Sequence, residues 1–93
     1  MREIEYTAQF KRDYKREKKS NHYKNFDKNF LDVVKLLAQD KPLLERYRDH
    51  ALAGEWKDHR DCHIKPDLVL IYRKPGTKTL QLVRIGSHSE LGL

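Results

Sequence analysis

The sequence predicts a small α+β fold in which an N-terminal strand, two helices and a three-strand antiparallel meander form one sheet with helices on one face. Three observations carry this. The apolar run from Leu68 to Tyr72 is short, bounded by turn residues, and able to bury both of its faces, as a central strand does. Phe26, Phe30, Val33, Val34 and Leu37 recur at helical spacing and form the stripe of a helix packed on a core. The order of the signals, one strand, then helices, then strands, suits a sheet covered on one side rather than alternating βαβ units.

Each element has its own local reason. In residues 2–6, Ile4 and Tyr6 alternate with Glu3 and Glu5, the two-residue period of a half-buried strand. Thr7 suits the N-cap of the next helix, where Phe10 and Tyr14 share a face and dock it. That helix should end near Ser20 and Asn21. The second helix is expected over residues 23–39, closed by Pro42, and residues 43–48 add one turn before a loop that carries His50. After a tight turn at Gly54, strands are expected over 55–64, 67–73 and 79–86, with Pro75 and Gly76 turning the last hairpin. Regular alternation from Trp56 places Lys57, His59, Asp61 and His63 on one face and Trp56, Cys62 and Ile64 on the core side.

A chain of 93 residues supports one compact core, so residues 1–93 are expected to form a single domain. Charged residues make up 37% and hydrophobic ones 38%, but the latter are clustered, which argues for a folded domain rather than a disordered chain. The net charge of +6 favours a polyanionic partner or an acidic protein. Most of the excess is early: residues 11–28 hold eight Lys or Arg against three acids, a net of +5. One explanation is a solvated helix surface on which Asp13 and Glu17 pair with nearby lysines. The other is a phosphate-tracking surface built from Lys11, Arg12, Lys15, Arg16, Lys18 and Lys19, with Lys57 beside it. Cys62 is alone, which rules out an internal disulfide and fits a buried core thiol better than a nucleophile. The first ten residues lack the apolar core of a signal peptide, and no apolar run nears the roughly 20 residues of a membrane span. A cytoplasmic location is therefore expected.

His50, His63 and His88, with Asp67 and Arg84, are the residues that carry chemistry. Zinc is one use for such a set, but the spacings match no compact ligand motif, and there is neither HExxH nor a paired CxxC. Neither metal nor cofactor is expected. Acid–base cleavage of RNA is the other use. A general base takes the proton of a ribose 2′-hydroxyl, the oxygen attacks the adjacent phosphate, and a general acid protonates the leaving 5′-oxygen. Histidine, with an ordinary pKa of about 6.5, performs either role near neutrality. A guanidinium stabilises the charge that gathers on phosphorus.

The same residues carry a resemblance. Asp49-His50, Leu52-x-Gly54-x-Trp56-Lys57, Arg60-Asp61-x-His63-x-x-Pro66-Asp67, Leu70-Ile71-Tyr72, Arg84 and Gly86-x-His88 closely resemble the YafQ branch of the RelE-like type II toxins. Ile4-Glu5-Tyr6 and the stretch from Phe10 to Asp13 fit as well, so the likeness spans nearly the whole chain. It implies a small RelE-like fold and a ribosome-dependent mRNA endoribonuclease kept silent by a co-expressed antitoxin. It also implies that His50, His63, Asp67 and His88 form the catalytic set, with Arg84 on the scissile phosphate. His50 is then the base and His88 the acid, while His63 and Asp67 orient substrate or share in proton transfer. The implied partners are ribosomal RNA, message and an acidic antitoxin segment that folds on contact, the toxin being monomeric when free and part of a heterotetramer or larger assembly when bound. In one place the chain departs from the pattern. Relatives often carry an aromatic straight after the leucine that follows the last histidine, whereas here Leu91 is followed by Gly92 and Leu93. Two other uses of the scaffold stand beside the nuclease: a ParE-like poison of another target, and a non-catalytic RNA-binding module. Neither gives the histidines a task.

Overall fold

A computed structural model describes residues 1–20 and 26–93. Strand β1 (Glu3–Tyr6) leads into α1 (Ala8–Lys19), and α2 (Phe26–Ala38) follows. Then come β2 (His50–Ala51), β3 (Arg60–Lys65), β4 (Leu68–Arg73), β5 (Thr79–Gly86) and a last helical turn, α3 (His88–Leu91). The expected start of the second helix at Tyr23, the Asn21 end of the first, and Lys24 and His22 lie outside the described residues. The five strands form one sheet in the order β1-β5-β4-β3-β2. Strand β1 runs parallel to β5, and the other neighbours are antiparallel.

The α+β expectation holds. The central strand β4 is buried on both faces: Leu68, Leu70 and Tyr72 join the main core, and Val69 and Ile71 join a smaller cluster on the far side. The main core lies between the sheet and the two long helices, with Phe10, Phe26, Phe30, Val33 and Leu37 packed against Cys62, Ile64, Leu80, Leu82 and Ile85. The phenylalanines of α2 are core residues, as their spacing requires.

Local chemistry sets the ends of the helices. Thr7 caps α1 by accepting from the Phe10 amide at 3.0 Å, as expected, and its hydroxyl also donates to the Val83 carbonyl at 2.8 Å. Helix α2 ends in a left-handed residue, Asp40, whose amide bonds to Leu37 O while that of Lys41 bonds to Leu36 O. This pair of bonds satisfies two carbonyls that the helix end would otherwise orphan.

Beyond Tyr6 there is no β1 to cover the outer edge of β5, and α1 covers it instead. Asp13 accepts from the Ile85 amide at 3.2 Å, and Arg16 donates to the Ile85 carbonyl at 3.3 Å. Asp13 and Glu17 are thus buried, not solvent-facing partners of surface lysines. The sequence pattern could not reveal this, because Arg84 and the Ile85 amide, which Asp13 meets, lie on a strand some seventy positions away.

Two further expectations are corrected. The strand expected over 55–64 begins only at Arg60. Residues 54–56 make a single 3₁₀ turn, and the left-handed Gly54 and Asp58 bend the chain on either side of it. Trp56 is therefore off the alternation and packs with Val69, Ile71 and Leu91 on the face opposite Cys62. His50, expected in a loop, is a strand residue paired with Asp61.

Candidate active site

The face of the sheet opposite the long helices carries the histidines. Directly paired residues share a face, so the pairs His50–Asp61, Asp61–Ile71 and His63–Val69 place His50, Asp61 and His63 with the Val69 and Ile71 cluster. His88 arrives from beyond the end of β5. It is the first residue of α3, which Ser87 and Glu90 fix by a reciprocal capping box. Its ring lies edge-on to that of His63, with centroids 5.0 Å apart.

The hydrogen-bond partners fix the ring tautomers. His50 Nδ1 faces two acceptors, the Arg48 carbonyl oxygen at 2.8 Å and Asp61 Oδ1 at 3.1 Å. His88 Nδ1 faces Asp67 Oδ1 at 2.6 Å, and the same oxygen accepts from the His88 amide at 3.1 Å. A nitrogen that meets only acceptors carries the proton, so on both rings Nε2 is the nitrogen left to meet a substrate. Burial, countered by Asp61, holds His63 below the ordinary histidine value, and the positive charges of His88, Arg48 and His50 push the same way. His63 therefore favours its neutral form.

Asp61 is a site residue to which the sequence reading gave no role of its own. It is nearly fully buried, and burial raises its pKa while the three histidines pull it down. Its Oδ1 gains no well-formed hydrogen bond among the described residues, because the His50 proton points to the nearer Arg48 carbonyl. A buried carboxylate with an unsatisfied oxygen is costly, by about 1–3 kcal/mol, and such groups are kept where chemistry needs them. The available signal was its place in the strand alternation, on the same face as His63.

Arg60 pairs with Asp49 at 3.2 Å. Asp49 also accepts from the Tyr72 hydroxyl at 2.5 Å, which ties the segment before His50 to the central strand. Asp67 holds His88. Among the described residues no group of three or more His, Cys, Asp or Glu is placed to hold a metal ion. Burial pushes the Cys62 thiol up and out of reach as a nucleophile.

An open cleft of about 640 Å³ adjoins His63 and His88. Its other walls are Asn29 of α2, residues 46–48, and Ile64 to Pro66 at the end of β3. None of Asn29, Arg46, Arg48 or Lys65 was singled out from the sequence, since nothing local marks them.

Not every expected residue joins this group. Arg84 gives Nε and Nη2 to Asp13 at 2.9 and 3.0 Å, which leaves Nη1. Arg16 is bound by Asp13, Glu17 and Glu90 and belongs to the same structural network rather than to an open phosphate-tracking surface. Lys18 pairs with Asp27 across the two helices, and Arg12 donates to Gln9. Lys11, Lys15, Lys19 and Lys57 are exposed and make no ion pair among the described residues.

Solved structures of similar shape define the class. The toxin in a crystal structure of the DinJ–YafQ complex from Escherichia coli matches with a TM-score of 0.84 at 37% identity, covering 98% of each chain. A metal-bound toxin from Helicobacter pylori matches with a TM-score of 0.86 at 46% identity, over 98% of this chain and 99% of that one. Histidines and carboxylates on such a sheet thus belong to a small bacterial toxin. More narrowly, a family model described as bacterial toxin of type II toxin-antitoxin system, YafQ, matches residues 2–92, and the chain belongs to that family. The mRNA interferase toxin YafQ of Escherichia coli K12 is 39% identical over 90 residues, 97% of this chain and 95% of that protein.

Proposed function

We propose that this toxin, an mRNA interferase and hence an endoribonuclease, cuts ribosome-bound message by metal-independent transfer of protons. One observation carries the reading: rings that offer Nε2, with Nδ1 held by an acceptor, stand beside His63 on one open face of the sheet. His50 takes the proton of the ribose 2′-hydroxyl. The 2′-oxygen then bonds to phosphorus, the bond from phosphorus to the 5′-oxygen breaks, and His88 protonates that oxygen. A 2′,3′-cyclic phosphate and a 5′-hydroxyl result. Asp67 supplies the counter-charge for the His88 imidazolium, and Asp61 does so for His50. His63, which favours its neutral form, hydrogen-bonds the reacting groups or relays a proton. Arg84 meets the scissile phosphate through the guanidinium edge that Asp13 leaves open. Residues 1–93 act here as one domain.

Its partner is a cognate antitoxin. In finer detail, that antitoxin offers an acidic segment that folds against the toxin's basic surfaces, giving a heterotetramer or larger assembly from a toxin that is monomeric when free. The exposed Lys11, Lys15 and Lys19, with Lys57, hold ribosomal RNA during the cut. The action is cytoplasmic, where message is translated. Among the described residues no helix is long and apolar enough to cross a membrane.

The deciding experiment maps message cleavage by primer extension in a cell-free translation system, using chelator-treated wild type and His88→Ala. Cuts that need ribosomes, persist after chelation and fall by roughly 10²–10⁴ in the variant are expected. Arrest without a cut, equal in both proteins, overturns the reading.

A further inference from the structure

Arg48 occupies a backbone conformation that its residue type does not favour. Its φ of 47° and ψ of 48° lie in the left-handed region. Among the described residues the other non-glycine cases are Asp40 and Asp58, and aspartate tolerates that region because its short side chain bonds locally. Arginine has no such compensation. The surrounding structure imposes the conformation: Tyr47 is buried on one side, and Asp49 is held by Tyr72 and Arg60 on the other. The backbone has a use, since the Arg48 carbonyl receives the His50 ring proton. A glycine would supply the same carbonyl at lower cost. Something other than the main chain therefore accounts for an arginine here.

The side chain points to that use. It is exposed, lines the cleft next to His63 and His88, and makes no ion pair among the described residues. Lys65 lines the same cleft, and Arg46 flanks it with its guanidinium 4.9 Å above the Tyr47 ring. Three cations beside a histidine pair, in a cleft that Asn29, Ile64 and Pro66 also line, suit an extended chain carrying repeated negative charge.

We infer that Arg48 grips the phosphate next to the scissile one, with Lys65 and Arg46 along the same cleft, so that residues 46–48 bind the message as well as orient the base. This rests on the nuclease reading and adds a substrate contact to it. Strain at a binding residue is the expected pattern where the side chain must be presented at a set angle.

The test uses message on programmed ribosomes at subsaturating toxin, with thermal unfolding measured in parallel for Arg48→Gly, Arg48→Gln and Arg48→Lys. Arg48→Gly should melt at or above the wild-type temperature, because it relieves the backbone. Both Arg48→Gly and Arg48→Gln should cleave roughly tenfold more slowly or worse, the size of one charge-assisted contact. Arg48→Lys should recover much of the loss. Wild-type cleavage by Arg48→Gln, or Arg48→Lys no better than Arg48→Gln, overturns the inference while leaving the nuclease intact. A wild-type protein that makes no cut overturns the nuclease reading itself.

Discussion

Replacing Asp13 by asparagine should be among the most damaging single changes in the protein. The carboxylate has no solvent exposure. Its Oδ2 accepts from Arg84 Nε and the Ile85 amide, and its Oδ1 from Gln9, Arg16 and Arg84 Nη2. Asparagine cannot serve this site in either orientation, because one end of its amide is a donor aimed at donors. Breaking a buried ion pair by altering one partner costs about 3–5 kcal/mol. Arg84 keeps 23% of its side chain in solvent and partly rehydrates, which favours the lower end, about 3 kcal/mol. For a domain of this size each kcal/mol moves Tm by about 4–8 °C, so the loss should be about 12 °C or more. The pH dependence gives a second check. Burial raises the Asp13 pKa, but the hydrogen bonds from Arg84, Gln9 and Ile85 together bring it below the ordinary 3.8. A depressed acid stabilises the fold above its unfolded value and loses that contribution as pH falls through the folded value. The deficit of Asp13→Asn should therefore shrink below about pH 4. Urea unfolding followed by circular dichroism across pH measures both. A Tm change under about 4 °C, or a deficit independent of pH, would mean that Asp13 is only a solvated helix residue.

Three more outcomes follow from the same structure. His63 is depressed from 6.5, so it supports the fold above that pH and the support fades as pH falls toward the folded value. His63→Gln should flatten the acid side of the stability curve, read as urea midpoint against pH, and an unchanged slope refutes the assignment. Charge reversal at Lys11, Lys15 and Lys19 should weaken ribosome co-sedimentation and reduce its salt dependence while leaving Tm within a few degrees. Arg16→Glu, placed among Asp13, Glu17 and Glu90, should instead unfold the protein at lower temperature, and a thermally silent Arg16→Glu counts against the network.

Periodicity was enough to place the strands and helices because burial follows the period: the α2 stripe and the two faces of β4 are as their spacing required. It failed around residues 54–59, where left-handed Gly54 and Asp58 break the alternation and send Trp56 to the other face. Turn geometry of that kind leaves only a weak trace in residue type. The capping box at the start of α3 was legible in principle, since Ser87 and Glu90 have the required three-residue spacing, but its shortness hid it. Asp13 and Asp61 were hidden for a different reason. Their burial depends on distant partners, and an acid in a polar stretch reads locally as surface.

The pairing of β1 with β5 sets Glu3 opposite Thr79 and Tyr6 opposite Leu82. Strand β1 thus waits for a segment made 76 positions later before it finds its place in the sheet. Closing so long a loop comes late in folding. The edge of β5 that α1 seals, and the turn that brings His88 to its neighbours, cannot exist earlier either. Until β5 has been made, the toxin lacks the very strand from which the His88 turn is hung, so its histidines cannot assemble before then.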